Sequence, residues 1–111
     1  NISSLAGHRV PPAMGASFYS ATKHALKAIT EGLRYEQSAL GNRVKVGSIS
    51  PGLVVSEFQD VAFQEPGALE KRYQFRPLDA EDIASTVLFM LAMPRHVQIS
   101  DVMMRSVESP V

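Results

Sequence analysis

The chain contains two stretches in which apolar residues recur at helical spacing. The first runs from about residue 17 to residue 40, and its apolar positions are separated by three, four and seven residues. These positions are Leu26, Ile29, Leu33 and Leu40. Small residues form a second stripe on the same segment, at Ala21, Ala25, Ala28 and Gly32. The two stripes predict one long helix that is buried on two faces.

A second helix is marked at both ends. Asp79 and Asp82 have the spacing of a capping box, and Pro94 stands where a helix must stop. The apolar stripe of this helix is Ile83, Val87, Leu88 and Leu91. We therefore expect a helix between Asp79 and Pro94 that packs through that stripe.

Three short segments are typical of strands. Residues 1–4 read as the end of a strand, residues 44–50 are rich in β-branched side chains before a Pro-Gly turn, and residues 97–103 alternate. Residues 53–76 show no clean period, which predicts a mobile lid or short irregular helices. The order strand, helix, strand, lid, helix, strand predicts an α/β fold with a parallel sheet. Functional residues in such sheets gather at the carboxyl ends of the strands.

Composition narrows the class of protein. The chain has 111 residues, 45% of them hydrophobic, a net charge of zero and no cysteine. These values fit one small soluble unit, and they argue against nucleic acid as a partner, against a membrane span and against a disulfide framework. The histidines at 8, 24 and 96 lack metal-ligand spacing, so we expect no metal site. The chain starts at Asn1 without a signal peptide, and we expect a cytoplasmic piece of a longer protein.

Three residues near the predicted strand ends could carry chemistry. Ser4 follows the first strand, and Tyr19 and Lys23 lie four residues apart at the start of the first helix. An ammonium near a phenol favours the phenolate, and such a phenol can exchange a proton near neutral pH. A serine hydroxyl nearby can hydrogen-bond a carbonyl oxygen. The three suit carbonyl/alcohol interconversion, although the Tyr-Lys spacing alone also fits a solvated helix face.

Three blocks occur in order along the chain: Asn-Ile-Ser-Ser-Leu-Ala-Gly at 1–7, Phe-Tyr-Ser-Ala-Thr-Lys at 18–23 and Ser-Ile-Ser-Pro-Gly-Leu-Val-Val-Ser at 48–56. With them the chain resembles the short-chain dehydrogenase/reductase family. Within it, the chain is similar to the subfamily of dehydrogenase/reductase member eleven and the insect farnesol dehydrogenases. The resemblance implies that residues 1–111 are the carboxyl-terminal half of a Rossmann-type, doubly wound NAD(P)-binding domain. No segment here matches the family's glycine-rich phosphate loop.

The resemblance also implies roles for individual residues. Tyr19 matches the catalytic acid/base, and Lys23 matches the residue that bonds the nicotinamide ribose and assists the tyrosine; both touch the cofactor. Ser4, the second serine of its block, matches the serine that contacts the substrate carbonyl, and Ser3 is the alternative.

The third block implies cofactor contacts. Pro51 and Gly52 match the turn beneath the nicotinamide, and Val54 matches the residue whose backbone binds the carboxamide. Ser56 stands where threonine is more usual. From the residues alone, Pro51-Gly52 could be a simple turn and Ser56 a loop-capping hydroxyl. His8 and Arg9 could contact substrate or phosphate, but we interpret them as part of a solvated loop.

From this resemblance we expect the parent protein to be an oxidoreductase that uses NADP, with NAD as the alternative. We also expect it to assemble as a homodimer or homotetramer. The aromatics of the lid suggest an apolar carbonyl or alcohol substrate such as a steroid or isoprenoid. They are Phe58, Phe63, Tyr73 and Phe75. The competing hypothesis is a truncated, catalytically inactive chain that acts only as an interaction module through the small-residue stripe of its first helix.

Overall fold

The computed structural model describes residues 1–110; Val111, the last residue of the predicted domain, lies outside the described residues. A short 3-10 helix, Leu5–Gly7, is followed by helix α1, Ala16–Ala39, and strand β1, Ser48–Pro51. Two short helices come next, α2 at Phe58–Phe63 and α3 at Ala68–Arg72. Helix α4, Ala80–Ala92, and strand β2, Asp101–Met104, complete the order.

The strands form a parallel sheet with β1 in the middle. Strand β1 pairs with β2 in parallel, with Ser48 opposite Asp101. On the other edge of β1, Ile2 forms a parallel bridge with Ile49. Because the three segments run the same way, their carboxyl ends lie at one edge of the sheet, where the 3-10 helix and the Pro51-Gly52 turn begin. The predicted α/β fold with a parallel sheet is confirmed.

The predicted helices are confirmed within one or two residues, and both are set by local signals. Helix α1 begins after Gly15, whose backbone is left-handed with φ of 77°. Helix α4 begins at a capping box in which the Asp79 N–H donates to the Asp82 carboxylate at 2.8 Å. Residues 53–76 contain the helices α2 and α3, which agrees with the prediction of short irregular helices for this segment. Among residues 1–110, no helix is both long and apolar enough to cross a membrane.

The predicted burial of the helices is partly wrong. The buried residues of α1 are Ser20 and Thr30, whereas Ile29 is 63% and Leu33 39% exposed. The polar side of α1 packs on the 3-10 helix and the Asn1–Ser3 segment, because Thr30 accepts a hydrogen bond from the Asn1 side chain at 2.7 Å. Of the apolar and small-residue stripes only Leu26 and Gly32 are half-buried among the described residues, and the other members are exposed, so α1 does not have two buried faces.

Helix α4 and the strands also differ from expectation. Leu88 and Leu91 are 67% and 69% exposed, while Ile83 and Val87 are half-buried and lie towards the sheet. Each strand has four residues, shorter than the sequence predicts, because pairing begins only where both chains are extended. The buried hydrophobic residues within 1–110 are Ala6, Val46, Ile49, Ala68 and Leu69.

Candidate active site

Ser4 stands at the junction of the first extended segment and the 3-10 helix. It is the N-cap of Leu5–Gly7, and its Oγ accepts a hydrogen bond from the Ala6 N–H at 3.1 Å. Ser4 is half-buried, whereas its neighbour Ser3 is only 5% exposed. Among the described residues, the Ser3 hydroxyl has no hydrogen-bond partner. Of the two serines, Ser4 is therefore the one that an incoming molecule can reach.

Tyr19 and Lys23 lie one helical turn apart at the start of α1, and both are half-buried. The Lys23 Nζ lies 5.7 Å from the centre of the Tyr19 ring. The same Nζ donates to the carbonyl oxygen of Ile2 at 3.3 Å. Lys23 therefore links the helix that carries Tyr19 to the segment that carries Ser4, two residues after Ile2.

The Pro51-Gly52 turn leaves the sheet beside the 3-10 helix. Pro51 is buried, and the Gly52 N–H donates to the Met104 carbonyl at 2.8 Å. A Cβ on Gly52 would lie 3.3 Å from Leu5 Cδ1 and 3.2 Å from Arg105 Cβ. This close approach leaves little room for a larger residue at position 52 unless Leu5 or Arg105 shifts, and it brings the turn against the residue that follows Ser4.

Val54 and Ser56 form the continuation of that turn. Val54 makes a parallel bridge with Leu78, which fixes the backbone at this point. The exposed Ser56 hydroxyl makes two long contacts of 3.4 Å, to the Val54 carbonyl and the Phe58 N–H. Its geometry is that of a loop cap whose hydroxyl remains accessible.

The segment predicted as a lid reaches Tyr19 through one aromatic ring. Phe58, at the start of α2, lies 5.8 Å from Tyr19 between ring centres, at an interplanar angle of 48°. The other three aromatics are engaged elsewhere. The Phe63 ring lies under the Arg72 guanidinium, and Tyr73 stacks edge-on with Phe75.

An exposed ion cluster joins the last turn of helix α3 to Glu65, which precedes that helix. Glu65 binds Lys71 and Arg72, each at 3.1 Å. Hydrogen bonds from Lys71 and then Arg72 hold the pKa of the Glu65 carboxyl below its usual range. The three side chains of the cluster are 37% to 58% exposed, so it is a surface feature of the segment predicted as a lid.

The interpretation of His8 as part of a solvated loop is wrong, while Arg9 is exposed as expected. The His8 ring bonds Asp101 at 2.7 Å, Ser50 at 3.1 Å and Lys27 at 3.1 Å. Sequence reasoning missed these partners because they lie 19 or more residues away along the chain. The available signal was a histidine shortly after the candidate serine, in a loop at a strand end.

Comparisons with known proteins show the family to which the chain belongs. The family model described as short chain dehydrogenase matches residues 1–67. The curated dehydrogenase/reductase SDR family member 11 of Mus musculus is 43% identical over 110 residues, which cover 97% of this chain and 42% of that protein. The farnesol dehydrogenase of Aedes aegypti is 39% identical over 108 residues, covering 96% of this chain and 41% of that protein. The chain thus spans about two fifths of the length of these curated relatives.

Solved structures give the same result. The closed form of a serine dehydrogenase complexed with NADP⁺ matches with a TM-score of 0.87 and 35% identity, over 100% of this chain and 44% of that one. An alcohol dehydrogenase from Thermococcus sibiricus complexed with 5-hydroxy-NADP matches with a TM-score of 0.72 and 25% identity, over 97% and 41%. The fold is therefore part of a Rossmann-type domain, and the chain belongs to the short-chain dehydrogenase/reductase family of oxidoreductases.

Proposed function

We propose that the protein to which these residues belong is an NAD(P)-dependent oxidoreductase that interconverts a carbonyl and a secondary or primary alcohol. In this proposal residues 1–111 are the catalytic, carboxyl-terminal half of the domain, and the glycine-rich cofactor loop belongs to the other half. The observation that carries the proposal is the double contact of Lys23. Its ammonium lies beside Tyr19 and also bonds Ile2, next to the Ser4 segment.

Tyr19 is the proposed acid/base. In reduction its hydroxyl donates a proton to the oxygen of the substrate carbonyl as that oxygen gains negative charge, and in oxidation the phenolate takes the proton back. The Lys23 ammonium lies on the same face of α1, 5.7 Å from the centre of the Tyr19 ring. The Ser4 hydroxyl keeps its own proton free to donate, since its known contact is one that it accepts from Ala6. Ser4 therefore donates to the same carbonyl oxygen.

The residues present fit a nicotinamide nucleotide, which supplies the hydride in reduction and accepts it in oxidation. The Lys23 ammonium has three donors, and the 3.3 Å contact with Ile2 occupies one of them. Two donors remain for a ribose hydroxyl pair. The Ser56 hydroxyl, held only by contacts of 3.4 Å, is available for a polar group near Val54. Of the two cofactors we propose NADP, because the neighbour with 35% identity is complexed with NADP⁺.

We propose an apolar substrate, such as a steroid or an isoprenoid. Apolar side chains in the chain between Ser4 and Tyr19 are exposed, with Val10 at 59%, Met14 at 105% and Phe18 at 79%. Phe58 adds an aromatic ring beside Tyr19. A carbonyl compound with a long hydrocarbon body would cover these groups, and covering apolar surface favours binding by about 25 cal/mol per Å². The Aedes aegypti relative is a farnesol dehydrogenase, which is consistent with this class.

The test is the Tyr19→Phe variant of the full gene product that contains this chain. Removing one hydroxyl from a proposed acid/base should lower kcat by about 100-fold to 10,000-fold, while the Kd for NADPH changes little. The measurement is oxidation of NADPH or NADH at 340 nm with farnesal, androstenedione and glyceraldehyde. Tyr35→Phe is the matched control, since Tyr35 is an exposed tyrosine on the same helix. A Tyr19→Phe variant as fast as the parent would overturn the acid/base role, and equal rates with glyceraldehyde would overturn the apolar substrate.

One observation favours the competing proposal, an inactive chain that serves as an interaction module. Three residues of the apolar stripe of α1 are exposed, namely Ile29, Leu33 and Leu40, as are Leu88 and Leu91 on α4. The intact mass of the gene product, captured through its carboxyl terminus, separates the two proposals. A mass near the 12.1 kDa of this chain would favour the interaction module, and a mass of about twice that or more would favour the enzyme.

A further inference from the structure

A second group of polar residues lies behind the candidate site, at the other end of the 3-10 helix. The imidazole of His8 contacts one charged or polar side chain from each of three elements. Lys27 of α1 approaches Nδ1 at 3.1 Å, Asp101 of β2 lies 2.7 Å from Nε2, and Ser50 of β1 lies 3.1 Å from Nε2. The side chains of His8 and Asp101 are about one fifth exposed, and Ser50 is 1% exposed.

The partners of His8 define which ring nitrogen carries the proton. A lysine ammonium can only donate, so Nδ1 must accept from Lys27. The Nε2–H is then the donor to the Asp101 carboxylate. Because serine and carboxylate bond the same nitrogen, the group lacks the geometry of a nucleophile triad, in which the two partners bond opposite nitrogens. Its arrangement is that of an oriented link between elements.

Asp101 is in turn held by the sheet. Ser48 and Ser50 both donate to its Oδ1, at 2.6 Å and 2.8 Å. Two hydroxyl donors and one imidazole donor satisfy the carboxylate. Asp101 is the first residue of β2, so the pairing of that strand with β1 fixes its backbone. Asp101 therefore offers His8 a rigid acceptor.

The Ser4 segment is consequently tied to α1 on both sides of Ser4. Lys23 bonds Ile2 before it, and Lys27, one turn further along α1, bonds His8 after it. The two contacts hold the segment on either side of Ser4, and the bond between His8 and Asp101 ties its later end to the sheet. A proton donor must be held close to its ideal position, and an error of 1 Å can cost about 100-fold in rate.

We propose that His8, oriented by Asp101, is a positioning residue that fixes Ser4 relative to Tyr19. This inference rests on the proposed oxidoreductase function. Its effect is on the chemical step, since His8 bonds Ser50, Lys27 and Asp101 and none of the residues proposed to bind the cofactor or to exchange a proton.

The experiment compares two amide substitutions in the full gene product. The amide of His8→Gln extends as far as Nε2 and can keep the bond to Asp101, whereas that of His8→Asn extends only as far as Nδ1 and cannot. We expect His8→Gln to retain kcat within about threefold and His8→Asn to lower it by about 10-fold to 100-fold, with the KM for NADPH little changed in both. Arg9→Gln, at the exposed neighbouring position, should leave kcat unchanged.

A double substitution tests whether His8 and Asp101 act as one unit. Asp101→Ala should lower kcat about as much as His8→Asn, and the two together should lower it no further. Thermal unfolding of each variant measures the purely structural contribution. Three results would each overturn the positioning role: equal losses of kcat in His8→Gln and His8→Asn, additive losses of kcat in the double variant, or an unaffected kcat in His8→Asn. The proposed reaction is tested separately, by Tyr19→Phe. A parent protein without oxidoreductase activity would overturn both proposals.

Discussion

At the scale of single residues, Gly47, immediately before β1, has the least room for a side chain of any glycine in the described residues. A Cβ at this position would overlap the carbonyl oxygen of Ile99 and would lie 2.8 Å from the terminal methyl of Met90. The first neighbour is backbone and cannot turn aside, so the junction between β1, β2 and α4 depends on the absence of a side chain. Gly32 is the opposite case, because a Cβ there would meet nothing within 4 Å.

The surroundings of Gly47 and Gly32 predict opposite effects of alanine on stability. Gly47→Ala should lower the free energy of unfolding by about 1–3 kcal/mol or more, since it overpacks a backbone contact. Gly32→Ala should raise it by up to about 1 kcal/mol, because alanine is the better residue inside a helix. Urea unfolding followed by circular dichroism measures both, and a Gly47→Ala chain as stable as the parent would contradict the close approach.

The residue scale also shows what the sequence can reveal about the site. Tyr19 and Lys23 were predicted to share a face because four residues in a helix fix their relation locally. The partners of His8 were not predicted, because Ser50 lies 42 residues away and the contact depends on the fold around both. Ser4 and Gly52 lie between these cases: a strand end and a Pro-Gly turn predict their location, but not that Leu5 contacts Gly52.

At the scale of elements, helix α4 owes its start to a pair of aspartates. The Asp79 N–H donates to Asp82, and Arg76 adds an exposed ion pair with Asp79 at 3.1 Å. Glu81 lies in the same first turn but takes no part in the capping box. The Asp79 side chain forms the other half of the capping box by accepting from the Asp82 backbone N–H. Asp79→Ala removes this acceptor and should cost about 1 kcal/mol of stability, whereas Glu81→Ala should cost only a small fraction of it.

Chemical unfolding of Asp79→Ala and Glu81→Ala measures the contribution of the cap to the free energy of unfolding. Arg76→Ala is the control that removes the ion pair alone. An exposed pair of this kind contributes little, so Arg76→Ala should resemble Glu81→Ala. A loss in Arg76→Ala equal to that in Asp79→Ala would assign the stability to the ion pair and contradict the capping role.

Helices and strands differ in how far the sequence predicts them. The ends of α1 and α4 follow from caps, glycines and prolines that act within a few residues, and they were predicted closely. The strands are shorter than their patterns, because a strand exists only where a partner pairs with it. Most of the α1 stripe and half of the α4 stripe predicted for burial are exposed, since amphipathicity shows which face is apolar but not what covers it.

At the scale of the whole molecule, the chain exposes more surface than a compact protein of its mass. Its accessible surface is 7624 Å², against about 6,000 Å² for a typical monomer of this mass. Its radius of gyration is 15.6 Å, against about 13 Å for a compact domain of this length. The exposed side of α1 and the outer face of α4 contribute to the excess. The composition alone could not predict this excess of exposed surface, because the number of apolar residues does not determine which of them are buried.

The 111 residues expressed alone should therefore associate. We expect sedimentation to show species above 12.1 kDa and the dye ANS to bind with enhanced fluorescence, because exposed apolar patches recruit partners. The double variant Ile29→Lys/Leu88→Lys, with charges on both exposed stripes, should shift the distribution towards monomer. A parent chain that sediments as a monomer and does not increase the fluorescence of ANS would contradict the prediction.

The parallel pairing of the strands determines the order in which the molecule can assemble. Ser48 and Asp101, which meet across the sheet, are 53 residues apart, and the chain between Asn1 and Gly47 spans 46. Helices form in about a microsecond from neighbouring residues, whereas each strand pair must first close a long loop at an entropic cost. Contacts so distant in sequence slow folding. We therefore expect the strand pairs that bring the Pro51-Gly52 turn beside the Ser4 segment to form after the helices, so that the cofactor side of the candidate site is completed late in folding.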